Sequence, residues 1–255
     1  MMRYLLAACL FAVPLLVKSQ GFDWQYSVRQ PSAPPTTFLG FEAGYGRAMH
    51  SGGLEYVEQV PCCQFAAGEG VPMWLSAVVE TWQRGDVALW AGVGYGNVTA
   101  TFASDVQEFP LYDGRTLRTE YAYNTAMGYL SLQGGLRFRP LASNVTIGAA
   151  LRLGTLIHSS STLEEVVLSP SDYQFTTNPP SQRYLVEAGR SVASASAFLA
   201  SVALTGGYDI SLARGMYVTP TIVVGLPLTT TAANADWRTF DVSFALRFLT
   251  AFGTP

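Results

Sequence analysis

The sequence predicts an all-β chain closed into an eight-stranded antiparallel, up-and-down transmembrane barrel with a filled lumen. Three observations predict it. Apolar residues alternate with small or charged ones through most of the chain; long and short connections between the alternating segments succeed one another; and no run of about 18 apolar residues offers a membrane helix beyond the first segment.

The first segment reads as an export signal. Arg3 precedes an apolar stretch from Leu5 to Val17, too short to span a bilayer, and Val17-Lys18-Ser19 suits signal peptidase, so residues 1–19 are assigned as a signal peptide. Leu6-Ala7-Ala8-Cys9 has the letters of a lipoprotein box, but the longer apolar run follows it. Cleavage after Ser19 removes Arg3 and Lys18, the one lysine of the chain. Residues 20–36, with Pro31, Pro34 and Pro35, read as an extended periplasmic arm, and residues 37–255 as the barrel domain. Only 13% of the chain is charged and the formal net charge is −3, so nothing draws it electrostatically to nucleic acid.

Eight segments carry period two, the pattern of strands whose faces meet different media. The first three run over Leu39 to Tyr45, Met73 to Thr81 and Val87 to Tyr95. In the fourth, Leu130, Leu132, Leu136 and Phe138 oppose Tyr129, Ser131, Gln133, Gly135 and Arg137. In the fifth, Val145, Ile147, Ala149, Leu151 and Leu153 oppose Thr146, Gly148, Ala150, Arg152 and Gly154. Phe198 to Tyr208 is the sixth; Val218, Ile222 and Val224 mark the apolar face of the seventh, and Phe244 and Leu246 that of the last. Long connections (Ala48 to Val71, Ala103 to Thr125, His158 to Val192, then the medium Thr229 to Trp237) alternate with short ones (Gln83 to Asp86, Arg139 to Asn144, Ile210 to Arg214). Short periplasmic turns and long extracellular loops give that asymmetry, which puts both termini in the periplasm. Thr116 to Tyr123 and Arg183 to Glu187 either project beyond the membrane or form a ninth and tenth strand.

In hydrocarbon every unpaired backbone group costs several kcal/mol, so the last strand must pair with the first. An eight-stranded lumen is just wide enough for side chains to fill it, and inward glycines leave room for Trp90, Tyr129 and Tyr217. Glu42, Glu80, Arg137, Arg152 and Arg247 have inward parity and are expected to form a lumenal ion-pair network, the alternative being that some, Arg137 first, meet solvent at the rim. Phe138, Tyr208 and Phe248 near the short-turn end, and Tyr45 and Tyr95 near the other, are expected as interfacial aromatics. Arg84, Arg139 and Arg214 mark the short turns, either meeting lipid phosphates or simply solvated. The long connections are rich in acids, which disfavours heparin or nucleic acid and leaves divalent-ion bridging to outer lipids open.

Other motifs fail their context. Gly92-Val93-Gly94-Tyr95-Gly96 lies in a strand with no helix after it, so no dinucleotide cofactor is expected. Asn97-Val98-Thr99 and Asn144-Val145-Thr146 read as turn and strand-end residues. Cys62-Cys63 closes too small a ring to staple a fold, and no histidine stands at ligand spacing, so no metal is expected. His158 and Ser160, followed by Glu164 and Glu165, contain the residue types of a base-activated serine; His-x-Ser resembles the fragment that barrels deacylating lipid A carry, which sets a lipid hydrolase beside the main reading.

The export signal, the eight alternating strands, the GYG repeats in the first and third, the loop asymmetry and Phe244-Ala245-Leu246-Arg247-Phe248 together resemble the small bacterial outer-membrane β-barrel family, of the outer-membrane protein A transmembrane domain, protein X and PorT-like type. The resemblance covers Thr37 to Phe248 and implies residence in outer-membrane lipid and insertion by the barrel assembly machinery, although Leu249 to Pro255 extend past Phe248. No cell-wall-binding domain follows, so no such tether is implied. The expectation is a non-enzymatic scaffold that displays extracellular loops to a partner the sequence does not name. Beside it stand the lipid hydrolase and a soluble exported barrel that binds an apolar ligand.

Overall fold

The computed structural model describes residues 37–55, 64–84, 86–140, 143–192, 194–213, 215–233 and 236–252. The signal peptide with Cys9, the arm, Cys62, Cys63 and Arg214 lie outside the described residues, as does the side chain of Arg84.

The described strands are β1 (Thr37–Glu55), β2 (Gln64–Gly70), β3 (Pro72–Arg84), β4 (Val87–Ala103), β5 (Gln107–Pro110), β6 (Thr116–Phe138), β7 (Val145–Ser169), β8 (Arg183–Arg190), β9 (Phe198–Tyr208), β10 (Ile210–Ala213), β11 (Met216–Pro227) and β12 (Arg238–Ala251). Eight of them close a ring, each antiparallel to the next, in the order β1, β3, β4, β6, β7, β9, β11, β12 and back to β1. The closing seam runs from Phe38 opposite Ala251 to Ser51 opposite Arg238. No strand edge is left along it, as a wall in an apolar solvent requires. β2 continues β3 past Val71 and β10 continues β9 past Asp209.

The segments left open in the sequence are not further staves. β6 and β7 pair from Phe138 opposite Ile147 to Arg118 opposite Ser169, far beyond the ring, and β5 and β8 flank them. A four-stranded antiparallel extension therefore stands on the long-connection end. Arg115 joins its tips, bonding Asp113 in its own hairpin (2.6 Å) and Asp172 in the other (2.8 Å).

β7 changes face part-way. Tyr129 opposes Leu156 and Gly128 opposes His158, so Ile157 is an extra residue in a bulge. Below it odd residues such as Leu151 point outward; above it Ser161, Leu163 and Val167 are the buried ones.

The lumen is packed in two tiers. Phe38, Val78, Trp82, Trp90, Tyr217 and Leu249 fill the short-turn half; Phe65, Phe102, Tyr123, Met127, Leu163 and Trp237 fill the other. Gly44 is required by this packing, since a Cβ there would lie 2.1 Å from the Trp74 ring. Between the tiers is a cavity of about 150 Å³, so filling is not continuous.

Candidate functional site

The short-turn half of the lumen is organised by charge. Glu80 is fully buried and accepts two hydrogen bonds from Arg137 (3.0 and 2.8 Å), one from Arg247 (3.2 Å) and one from the Tyr217 hydroxyl (2.5 Å). Glu42 accepts from Arg247 Nε (2.7 Å) and from Trp74 Nε1 (3.2 Å). Asp209, also fully buried, accepts from Arg139 Nη2 (2.7 Å), the Thr219 hydroxyl (2.6 Å) and Arg137. The guanidinium of Arg247 lies 4.2 Å from the Trp90 ring and that of Arg139 lies 3.9 Å from Trp82. Asp209, Arg137, Glu80, Arg247 and Glu42 thus form one chain across the barrel. Three carboxylates face three guanidiniums, the balance a low-dielectric interior demands of buried charge.

The structure brings Glu42, Glu80, Arg137 and Arg247 together and leaves Arg152 out. Among the described residues Arg152 makes no ion pair; its guanidinium lies 4.7 Å from the Trp74 ring, on the wall of the cavity. Hydrogen bonds join four of the five expected members, and Arg152 is coupled to Glu42, as to Asp241, by charge alone. Arg137 is buried, not at the rim, and Arg139 is no turn residue meeting solvent or phosphate: it is 3% exposed and held by Asp209. Asp209 and Trp74 were not singled out, Arg139 was placed at a turn, and Tyr217 was read as filling the lumen and not as a donor to Glu80. A signal for two of them was present, since Asp209 continues the inward parity of Ala203, Thr205 and Gly207, and Arg139 that of Gly135 and Arg137.

The other half is capped by His50, likewise on the inward parity of its strand. It sits three residues beyond Arg47, which pairs with Glu69 and is the first charged group on the outer face of β1. Trp237 Nε1–H donates to its Nδ1 (3.1 Å), and its Nε2 lies 3.1 Å from the Thr99 carbonyl. A carbonyl only accepts and an indole only donates, so the ring is neutral with its hydrogen on Nε2. Phe102 packs beside it, the Thr239 hydroxyl lies 3.0 Å from Nδ1, and burial holds its pKa below the ordinary imidazole range despite the Thr99 bond. Protonation would turn Nδ1 into a second donor facing the Trp237 N–H. Above about pH 6.5 the ring is neutral folded or unfolded and costs nothing; as pH falls below that value the unfolded chain takes the proton first, so stability declines. Urea titrations in lipid vesicles should show wild type losing up to about 1.4 kcal/mol per pH unit between pH 6.5 and 5 relative to His50→Gln. Parallel pH dependences would mean that His50 takes no part.

The outer face is the reverse of the lumen. Leu130, Leu132, Leu136, Val145, Ile147, Leu151, Ile222, Phe244 and Leu246 are exposed; Leu153, Val218 and Val224 are partly so. Tyr45, Tyr95 and Phe138 are exposed, while Tyr208 and Phe248 are partly covered, Phe248 stacking on Phe41 at 5.5 Å. The acids of the long-connection end are less free than their number suggests: Glu69, Asp113 and Asp172, Glu108, Glu164, Glu187 and Asp236 pair with Arg47, Arg115, Arg118, Arg183, Arg190 and Arg238. His158 and Ser160 lie two residues apart along β7 just past the bulge, and among the described residues no hydrogen bond joins them; Glu164 is engaged by Arg183 at 3.0 Å.

No family model and no curated protein matches the chain. Several solved structures resemble it in architecture. Neisserial surface protein A is 10% identical over 84% of this chain and 99% of its own, with a TM-score of 0.35. Ail, the attachment invasion locus protein of Yersinia pestis, gives 10%, 84%, 99% and 0.32. The outer membrane protease OmpT from Escherichia coli gives 11%, 89%, 100% and 0.34. Likeness this loose transfers no residue role. The chemistry of this barrel is read from its own side chains.

Proposed function

We propose that the chain is an integral bacterial outer-membrane protein, a closed barrel without an open pore that holds an extended sheet out from the cell. One observation carries the reading: every stave of the ring exposes large apolar side chains, among them Phe41, Leu75, Val93, Leu132, Ile147, Leu204, Ile222 and Phe244. A docking site is a patch on one side of a molecule, whereas an apolar belt around the whole circumference needs a solvent that surrounds it. From Leu130 to Phe138 a tilted strand rises about 20 Å, most of the ~25 Å apolar band of outer-membrane barrels. Charge inside and apolar groups outside is also the opposite of what a water-soluble ligand-binding barrel requires.

In this reading the short turns and both termini are periplasmic, the partners are outer-membrane lipid and, during insertion, the barrel assembly machinery, and the extension of β5 to β8 is the surface offered to an extracellular partner. The barrel itself is a support and not a catalyst. Cell fractionation with protease added to intact cells tests this. Cleavage confined to the connections at the extension's end, between His158 and Val192 above all, with a tag after Pro255 protected, is the expected result. Recovery in the soluble fraction, or digestion of the tag in intact cells, would overturn it.

A further inference from the structure

The cavity between the two tiers has chemistry that neither the membrane-spanning role nor the ion-pair chain uses. Its walls include Trp74, Met127, Tyr129, Gln133, Arg152 and Asp241. Gln133 and Arg152 are directly opposed on β6 and β7, which puts two donor side chains next to each other. Gln133 is 4% exposed, and its amide nitrogen has no hydrogen-bond partner among the described residues. Arg152 lies against the face of Trp74 and makes no ion pair among the described residues, although Asp241 and Glu42 feel its charge across the space. A buried donor left without an acceptor is costly, so the Gln133 amide, with the half-buried Arg152 guanidinium beside it, is a standing demand for an acceptor group.

Asp241 belongs to β12, three staves round the ring from β7, and only the Ser243 hydroxyl (3.2 Å) bonds its carboxylate among the described side chains. The cavity thus carries one positive and one negative group on separate walls. A ligand with a net charge would unbalance them in a low-dielectric space; one with both charges would not. Trp74, Met127 and Tyr129 supply apolar surface for a short body, and a space of about 150 Å³ is the size that takes a compact apolar group such as a benzene ring.

We propose that this cavity is a binding site for a small zwitterion with an apolar side chain, of the neutral α-amino acid class. Its carboxylate is held by Arg152 and Gln133, its ammonium faces Asp241, and its side chain lies against Trp74 and Met127. The site does not depend on what surrounds the barrel.

The test is calorimetric titration of the folded chain in detergent with L-leucine, hexanoate and hexylamine, each blanked against protein-free micelles. L-leucine should bind, and hexanoate and hexylamine, each lacking one charge, should bind at least tenfold more weakly. Arg152→Met and Gln133→Leu should each weaken L-leucine at least tenfold. Gln133→Leu removes no charge and keeps the barrel foldable if Arg152→Met does not. Absence of L-leucine binding by folded wild type, equal binding of hexanoate, or wild-type affinity in Gln133→Leu would each overturn the assignment.

Discussion

Glu80→Leu is expected to destabilise the barrel by about 3–5 kcal/mol, the cost of stripping a buried ion pair of one partner. The size follows from what Glu80 holds. Its two oxygens take Arg137, Arg247 and Tyr217, so removing the carboxylate leaves two guanidiniums in the packed short-turn half with one acid fewer to share. Arg137 keeps Asp209 and Arg247 keeps Glu42, which is why the loss is that of one carboxylate and not of the whole chain. Urea unfolding in phospholipid vesicles, read by the shift in gel mobility between folded and heated protein, measures it. A loss below about 1 kcal/mol would mean that water reaches these groups and the lumen is open at that level.

Leu151→Arg is expected to cost about 2–4 kcal/mol in the same vesicles, the penalty of a guanidinium on the lipid face near mid-bilayer. The companion variant is Leu185→Arg. Leu151 and Leu185 are similarly exposed, at 45% and 54%, but Leu151 is on the ring and Leu185 on the projecting β8. The second substitution should therefore change stability by no more than about 0.5 kcal/mol, as exposed surface changes in water do. Equal effects at the two positions would remove the distinction between them.

The ring was legible because period two survives wherever a strand separates oil from a packed interior: Leu130 to Phe138 and Val242 to Phe248 show it residue by residue. Legibility stops where that contrast stops. Above the apolar belt the outward face turns polar while the inward face stays covered, with Thr116 and Arg118 exposed and Leu117, Thr119 and Tyr123 buried, so the apolar-outward signature ends although β6 continues. The bulge at Ile157 exchanges the faces of β7, which no fixed parity can follow. At the short turns the apolar partners run out before the inward face does, and Asp209 and Arg139, the two outermost members of the charge chain, were lost there. Arg152 was assigned the right face, but that Asp241 stands ahead of Glu42 as its charge partner depends on the stagger of the staves across the lumen. The aromatic cap came from Phe65 and Trp237, residues of what read as a long and a medium connection, and from Phe102, past the end of the third segment at Tyr95.

The central claim is that oil lies outside this cylinder and paired charge inside it. The most direct measurement is the state of the folded, purified chain when detergent is replaced by plain buffer. The belt of Phe41, Leu75, Leu132, Ile222 and Phe244 should drive aggregation at once, with folded mobility kept only in detergent or lipid. A monodisperse, folded monomer in buffer alone would contradict the account.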